Sequence, residues 1–196
     1  TMITGNKNAI ANLKKAVNLA GLEVNELVPE PLASSHSVLL SKEKEEGVVL
    51  VDIGRDTSNI AIFDQNKIKL CFTFPAGGDA INRELIDYYH LSYQQAETLK
   101  RHYGNNVFKK CEQEEDNIII QSINTNKQDK IYLHDVHKAI QKITKEIINV
   151  IFLSCKNLYP GNTQRHAIVI TGGAAQLKGL DFLIKEMTGH EVRLGV

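Results

Sequence analysis

Residues 47–63 read GVVLVDIGRDTSNIAIF, and this stretch decides the fold. An apolar, β-branched run ends at Asp52 and breaks at Gly54. Short polar residues follow, and then a second apolar run begins. The pattern predicts a strand, a tight turn and a strand. A hairpin tip that carries a carboxylate, a glycine and the hydroxyls of Thr57 and Ser58 can hold a phosphate on backbone N–H groups and a hydroxyl. Asp52 would then face the metal ion of that phosphate. The plainer reading of the same residues is an ordinary hairpin with a turn aspartate.

Upstream of the hairpin, Asn6 is placed to cap a helix. Ile10, Leu13, Val17 and Ala20 recur at helical spacing, which predicts an amphipathic helix over 7–20 closed by Gly21. Residues 22–28 alternate as a short strand, and TMITGN at 1–6 reads as a strand already in progress. Pro31 opens a helix over 32–40, and SKEKEEG at 41–47 reads as a solvated turn. Downstream, residues 64–67 make a second turn and 68–74 a third strand of the same meander. Two helices are predicted over 79–89 and 92–102, the second with Ser92 as cap and Gln95 at capping-box spacing. Strands are predicted over 117–123 and 130–133, joined by a turn. A long helix over 134–159 follows, with Val136, Ile140, Ile143, Ile147, Ile151 and Leu158 along one face. A buried strand over 167–170, the turn Thr171-Gly172-Gly173, a helix over 174–188 and a strand over 192–194 complete a mixed α/β chain.

Composition narrows the function classes. The 196 residues carry 23 Lys plus Arg against 23 Asp plus Glu, so the formal net charge of zero removes the electrostatic case for nucleic-acid binding. No apolar run approaches the roughly 20 residues that cross a bilayer. Cys71, Cys111 and Cys155 lie far apart and lack C-x-x-C spacing, so reduced thiols are expected rather than a disulfide framework or a zinc site. A chain that starts and stops inside regular structure is expected to be a piece of something longer.

Three further places carry chemistry, each with a plainer alternative. The missing side chains of Gly172 and Gly173 let a planar ligand lie against the backbone, or simply serve a strand-to-helix turn. Glu97, Lys100 and Arg101 share one side of a helix, where they can clasp a ribose or base edge, or form a solvated face. Glu30, between two prolines, can position a water or act as a turn residue. His134 and His137 stand three apart, but no third metal ligand accompanies them. No G-x-S-x-G or H-E-x-x-H motif is present.

These features occur in one order: E-P-L-A before the hairpin, D-I-G-x-x-T within it, Gly77-Gly78 before a helical pair, and a late T-G-G. That order resembles the second half of the actin-like ATPase fold. The segments ITGNKNAIANLKKAVNLAGLEVNELVPEPLASSHSVL, EEGVVLVDIG, FPAGGDAIN, LSYQQAETLKRHYG and AIVITGGAAQLKGL together resemble the FtsA family, the bacterial cell-division actin homologues. The resemblance is weakest over 109–129. It implies an RNase H-like subdomain over 1–77 and 138–196 with a smaller inserted α+β lobe over 78–137.

The resemblance also implies a function: a scaffold that binds ATP with Mg2+, hydrolyses it slowly if at all, polymerises, and ties the C-terminal peptide of FtsZ to the cytoplasmic membrane at the division site. Carried over by position, Asp52 is the metal-facing aspartate, and Gly54, Thr57 and Ser58 belong to a phosphate hairpin. Gly77 and Gly78 form the second glycine turn. Glu97, Lys100 and Arg101 face the adenosine, Gly172 and Gly173 the adenine, and Glu30 the hydrolytic water. The inserted lobe corresponds to the FtsZ contact. Neither a first phosphate hairpin nor a membrane-targeting helix is matched in these residues, so weak nucleotide binding and no membrane binding are expected of them alone. The family hairpin usually reads D-I-G-G-G-T-T-D. Here Arg55 and Asp56 replace the later glycines, which predicts crowding of the phosphate unless Arg55 pairs with it. The alternatives are a PilM-type pilus scaffold and an actin-fold phosphotransferase or phosphatase.

Overall fold

A computed structural model describes residues 4–104, 117–121, 128–160 and 166–195. The hairpin forms as β1 (Val48–Ile53) and β2 (Ser58–Asp64), and β3 (Lys67–Phe74) extends it into an antiparallel meander. Gln65 and Asn66 both adopt positive φ (52° and 58°) between β2 and β3, the backbone that a two-residue hairpin turn requires. Two later strands, β6 (Ala167–Thr171) and β7 (Val192–Leu194), add in parallel on the other side of β1. The sheet order is β3-β2-β1-β6-β7, which is the RNase H-like arrangement.

The central strand is apolar along its length because both faces of the sheet are covered. Val49, Val51 and Ile53 pack with Ile147, Ile148, Ile151 and Cys155 of α6 (Leu133–Leu158) and with Leu180, Leu183 and Ile184 of α7 (Leu180–Thr188). Val48 and Leu50 point the other way, onto Ala61, Phe63, Val169 and Leu39, with Leu32 and Val38 of α2 (Glu30–Val38) alongside. Alternation of side chains along a strand produces this division.

A second apolar cluster joins α4 (Gly78–Tyr89), α5 (Tyr93–Tyr103) and the start of α6 through Ile81, Leu85, Leu91, Ala96, Leu99, Ile131, Val136 and Ile140. Strands β4 (Asn117–Gln121) and β5 (Gln128–Tyr132) form a separate antiparallel pair. The capping box on α5 is present, with Ser92 Oγ accepting from Gln95 N at 3.2 Å and Gln95 Oε1 accepting from Ser92 N at 2.8 Å. Helix α6 is continuous through both clusters, and Ile143 packs against each, so position 137/138 falls inside it.

Several expectations are corrected. Residues 22–28 form no strand, because among the described residues no strand pairs with them. Of the strand expected at 1–6, residues 4–6 carry no element, and 1–3 lie outside the described residues. Of the turn expected at 124–129, residues 124–127 lie outside the described residues, and 128–129 belong to β5. Helix α1 (Lys7–Leu19) is capped by Asn6, whose side chain accepts from the N–H groups of Asn8 and Ala9. Its apolar stripe buries nothing, and Leu13 remains 61% exposed. The charged run at 41–47 is not a turn but a short helix, α3 (Ser41–Glu46). There the Glu43 carboxylate accepts from Leu40 N at 2.7 Å and from both Arg193 Nε and Nη2 at 2.6 Å. The last helix is broken: a single 3-10 turn (Ala174–Gln176) precedes α7, and Gly179 at φ 72° separates them. Leu158 is exposed rather than packed.

Candidate functional site

Three glycine turns meet at one end of the sheet. The parallel register places Asp52 beside Thr171, so the hairpin tip after β1 and the Gly172-Gly173 turn after β6 are adjacent. The hairpin closes on itself through Gly54 N–H to Thr57 O at 2.9 Å. Helix α4 then docks end-on against it. Gly78 N–H donates to Gly54 O at 2.9 Å, and Asp79 N–H donates to Arg55 O at 2.8 Å. These N–H groups are orphans at any helix start; here the hairpin carbonyls satisfy them. Gly77 makes the contact possible, since a Cβ there would lie 2.5 Å from Gly54 O and 2.6 Å from Arg55 O.

The two glycines after β6 are not equivalent. Gly172 has φ 91°, and a Cβ on it would lie 2.5 Å from both Asp52 Oδ1 and Ile53 O. It lets the turn fold down over the Asp52 carboxylate. Gly173 has an ordinary helical backbone (φ −63°, ψ −40°), and a Cβ on it would meet nothing within 4 Å. It leaves a bare, open patch beside the hairpin.

Asp52 is half-buried, and its Oδ2 accepts a hydrogen bond from Ser34 Oγ of α2 at 2.9 Å. Glu30 lies four residues before Ser34, on the same face of α2 and exposed at its first turn. Ser34 was not singled out from sequence. Its only signal is the i, i+4 spacing from Glu30 in a segment ahead of the hairpin.

Within the hairpin the two hydroxyls differ. Thr57 is exposed at the tip. Ser58 is fully buried and donates to Ala76 O at 2.7 Å, so its hydroxyl anchors the Gly77-Gly78 turn.

Helix α5 contributes a partly buried ion pair where a solvated face was the plainer reading. Lys100 Nζ, 8% exposed as a residue, donates to Glu97 Oε2 at 2.6 Å and to Gly78 O at 3.2 Å. Asn82 Nδ2 donates to the same Glu97 oxygen at 2.7 Å, and Arg101 Nε to Glu97 Oε1 at 2.9 Å. Burial opposes the Glu97 charge, but the Lys100 and Asn82 hydrogen bonds outweigh it and hold the carboxyl below the usual range. Arg101 itself stays largely exposed.

Asp79 and Arg55 complete the setting. Burial works against ionisation of Asp79, yet hydrogen bonds from Tyr93, Arg83 and Asn82 keep its pKa lowered. The Arg55 guanidinium bridges the hairpin and the helices after it. It lies 5.1 Å from the centroid of the Tyr93 ring, with Nε 3.9 Å from Asp79 Oδ1 and 3.8 Å from Asp56 Oδ2.

The sheet topology, the hairpin, the helices α4 and α5 that follow it and the late Gly-Gly turn define an actin-like ATPase fold. MreB 5 of Spiroplasma citri bound to AMPPNP shares it, with a TM-score of 0.81 and 18% identity over 97% of this chain and 60% of that one. Residues 49–196 match the family described as cell division protein FtsA, and this chain belongs to that family. The FtsA of Enterococcus hirae is 33% identical over 100% of this chain and 44% of its own length. The FtsA of Bacillus subtilis (strain 168) is 28% identical over 99% of this chain and 44% of its own. The chain thus spans less than half the length of these relatives. Among the described residues, no helix is long and apolar enough to cross a membrane.

Proposed function

We propose that this chain forms the second nucleotide-holding half of an FtsA-type cell-division scaffold. The carrying observation is the bare backbone at Gly173: its open face adjoins the hairpin and belongs to a turn whose other glycine is required for packing. Such a surface suits a planar base, and the hairpin beside it suits a polyphosphate. Among the described residues no group of three or more His, Cys, Asp or Glu side chains could hold a metal. A lone carboxylate, Asp52, fits Mg2+ that arrives with phosphates and keeps several waters.

In this reading the chain's own groups divide the work. Thr57 and the hairpin backbone receive phosphate, while Ser58 holds the Gly77-Gly78 turn in place. Ser34 orients Asp52 toward the metal. Lys100 fixes Glu97 and the Gly78 carbonyl, so the helix presents Glu97 and Arg101 to the adenosine in a set geometry. Glu30, one helical turn before Ser34 on α2, is the group that would orient a water for slow hydrolysis. The lobe over 78–137 contacts the C-terminal peptide of FtsZ, filaments form by self-association, and attachment to the inner face of the membrane depends on a segment outside these residues. The domain division at 78 and 137 belongs to the same proposal.

The test is ATP binding by the full-length protein carrying Gly173→Leu. The added side chain enters open space, so folding is retained while base binding falls at least tenfold. Unchanged affinity in calorimetry would overturn the adenine assignment. For the lobe, titration with the cognate FtsZ peptide should show binding below high micromolar concentration; none at that level would refute that contact.

A further inference from the structure

We propose that Arg55 is an exchangeable latch that reports phosphate at the hairpin to the inserted lobe, a reading that rests on the nucleotide site proposed above. Arg55 is the residue directly after Gly54, and its carbonyl already accepts the Asp79 N–H at the start of α4. Its side chain reaches the same lobe by a second route. The guanidinium sits over Tyr93 of α5 and beside Asp79 of α4. One residue of the hairpin therefore touches both lobe helices.

The hold is weak by its geometry. The 3.9 Å separation from Asp79 Oδ1 is longer than a hydrogen bond, and the Arg55 side chain is 68% exposed. Ion pairs of this kind contribute little in water, and an exposed cation–π contact adds only modestly. Asp79 does not depend on it. Arg83 Nε donates to Asp79 Oδ2 at 3.0 Å, and Tyr93 and Asn82 supply further hydrogen bonds. Releasing Arg55 therefore leaves no buried carboxylate uncompensated.

A phosphate at the hairpin changes the balance. Arg binds phosphate through two parallel charge-assisted hydrogen bonds, which are stronger than the contacts it gives up. Arg55 then leaves Tyr93 and Asp79 for the phosphate, and the side-chain tie between hairpin and lobe opens. Two glycines at these positions would bind phosphate without such a tie. Arg55 thus adds coupling to the hairpin rather than only obstructing it.

Opposite signs of effect make the latch testable by calorimetry on the full-length protein with ATP, inorganic tripolyphosphate and adenosine. Arg55→Ala should weaken ATP and tripolyphosphate about fivefold and leave adenosine unchanged. Tyr93→Leu removes the competing partner and should tighten both phosphate ligands about twofold. The double variant should match Arg55→Ala for both phosphate ligands, because the Tyr93 ring acts on phosphate through Arg55; Tyr93→Phe, which keeps the ring and removes only the hydroxyl's bonds to Asp79 and Asn82, should leave phosphate binding as in the unsubstituted protein. Equal or tighter ATP binding by Arg55→Ala, or weaker binding by Tyr93→Leu with adenosine unchanged, overturns the latch while the nucleotide site stands. Failure of the unsubstituted protein to bind either ATP or adenosine overturns both readings together.

Discussion

Gly172 and Gly173 are adjacent glycines for which the structure demands opposite responses to the same substitution. Gly172→Ala forces an L-residue to φ 91°, and its Cβ would sit 2.5 Å from Asp52 Oδ1 and 2.5 Å from Ile53 O. The backbone strain costs roughly 1–3 kcal/mol. The firmer of the two obstacles is the main-chain carbonyl of Ile53 in the central strand, which cannot rotate aside as a side chain can, and such overpacking costs roughly another 1–3 kcal/mol. The sum, about 2–6 kcal/mol, is a large share of the roughly 5–15 kcal/mol that holds a domain folded. With a urea m-value of roughly 3 kcal/mol/M for a chain of this size, the midpoint should fall by about 0.7–2 M. Gly173→Ala meets no atom and keeps a helical φ and ψ. It should leave the midpoint unchanged or raise stability by roughly 0.4–1 kcal/mol through the unfolded chain. Urea unfolding followed by circular dichroism measures both. Equal midpoints for the two variants would refute the assignment of Gly172 to packing and Gly173 to open space.

Other expectations concern charge and hydrogen bonding. Ser34→Ala removes the hydroxyl partner of Asp52 and should cost about 1 kcal/mol in urea unfolding; no change would show that the bond is dispensable to the fold. Hydrogen bonding from Arg193 is the main cause that lowers the Glu43 pKa below 4.5. The unfolded chain therefore takes up the proton first, so the pair's contribution is present above about pH 4.5 and is lost as pH falls through the folded value. Arg193→Met should flatten that acid slope in stability, and an undiminished slope would count against the pair. Burial lowers the pKa of His166 below 6.5, with Asp64 opposing and His190 reinforcing. Its contribution is present above pH 6.5 and is lost as pH falls below that value, because the unfolded ring protonates first. His166→Leu should remove this component of the pH dependence, read from melting temperatures between pH 7.5 and 5.5.

Elements defined by short-range chemistry were legible before the structure. The hairpin, the Asn6 and Ser92 caps, and the apolar face of α6 from Val136 to Ile151 all depend on residues close in sequence. Elements that depend on distant partners were not. Residues 41–46 carry charge enough for a turn, but Glu43 gains Arg193 from 150 positions away and the segment coils into α3. Residues 22–28 have strand alternation, but among the described residues no strand pairs with them. The break before α7 was hidden because a lone Gly179 inside an apolar period reads as tolerated until its left-handed φ is seen.

By itself, the sequence determined the order of elements, the polar tip between two apolar strands, and the glycines at three turns, because turn chemistry and periodicity act over a few residues. It also carried the family membership, through many short segments in one order. Only the tertiary structure decided what each glycine does and which charges are partnered. Gly77 admits the hairpin carbonyls, Gly172 admits the Asp52 carboxylate, and Gly173 meets nothing among the described residues. Lys100 is buried against Glu97 and Gly78, while Arg55 bridges the hairpin and Tyr93. Those outcomes depend on atoms brought together across the sheet, where distances of a few ångströms separate a structural glycine from an open one.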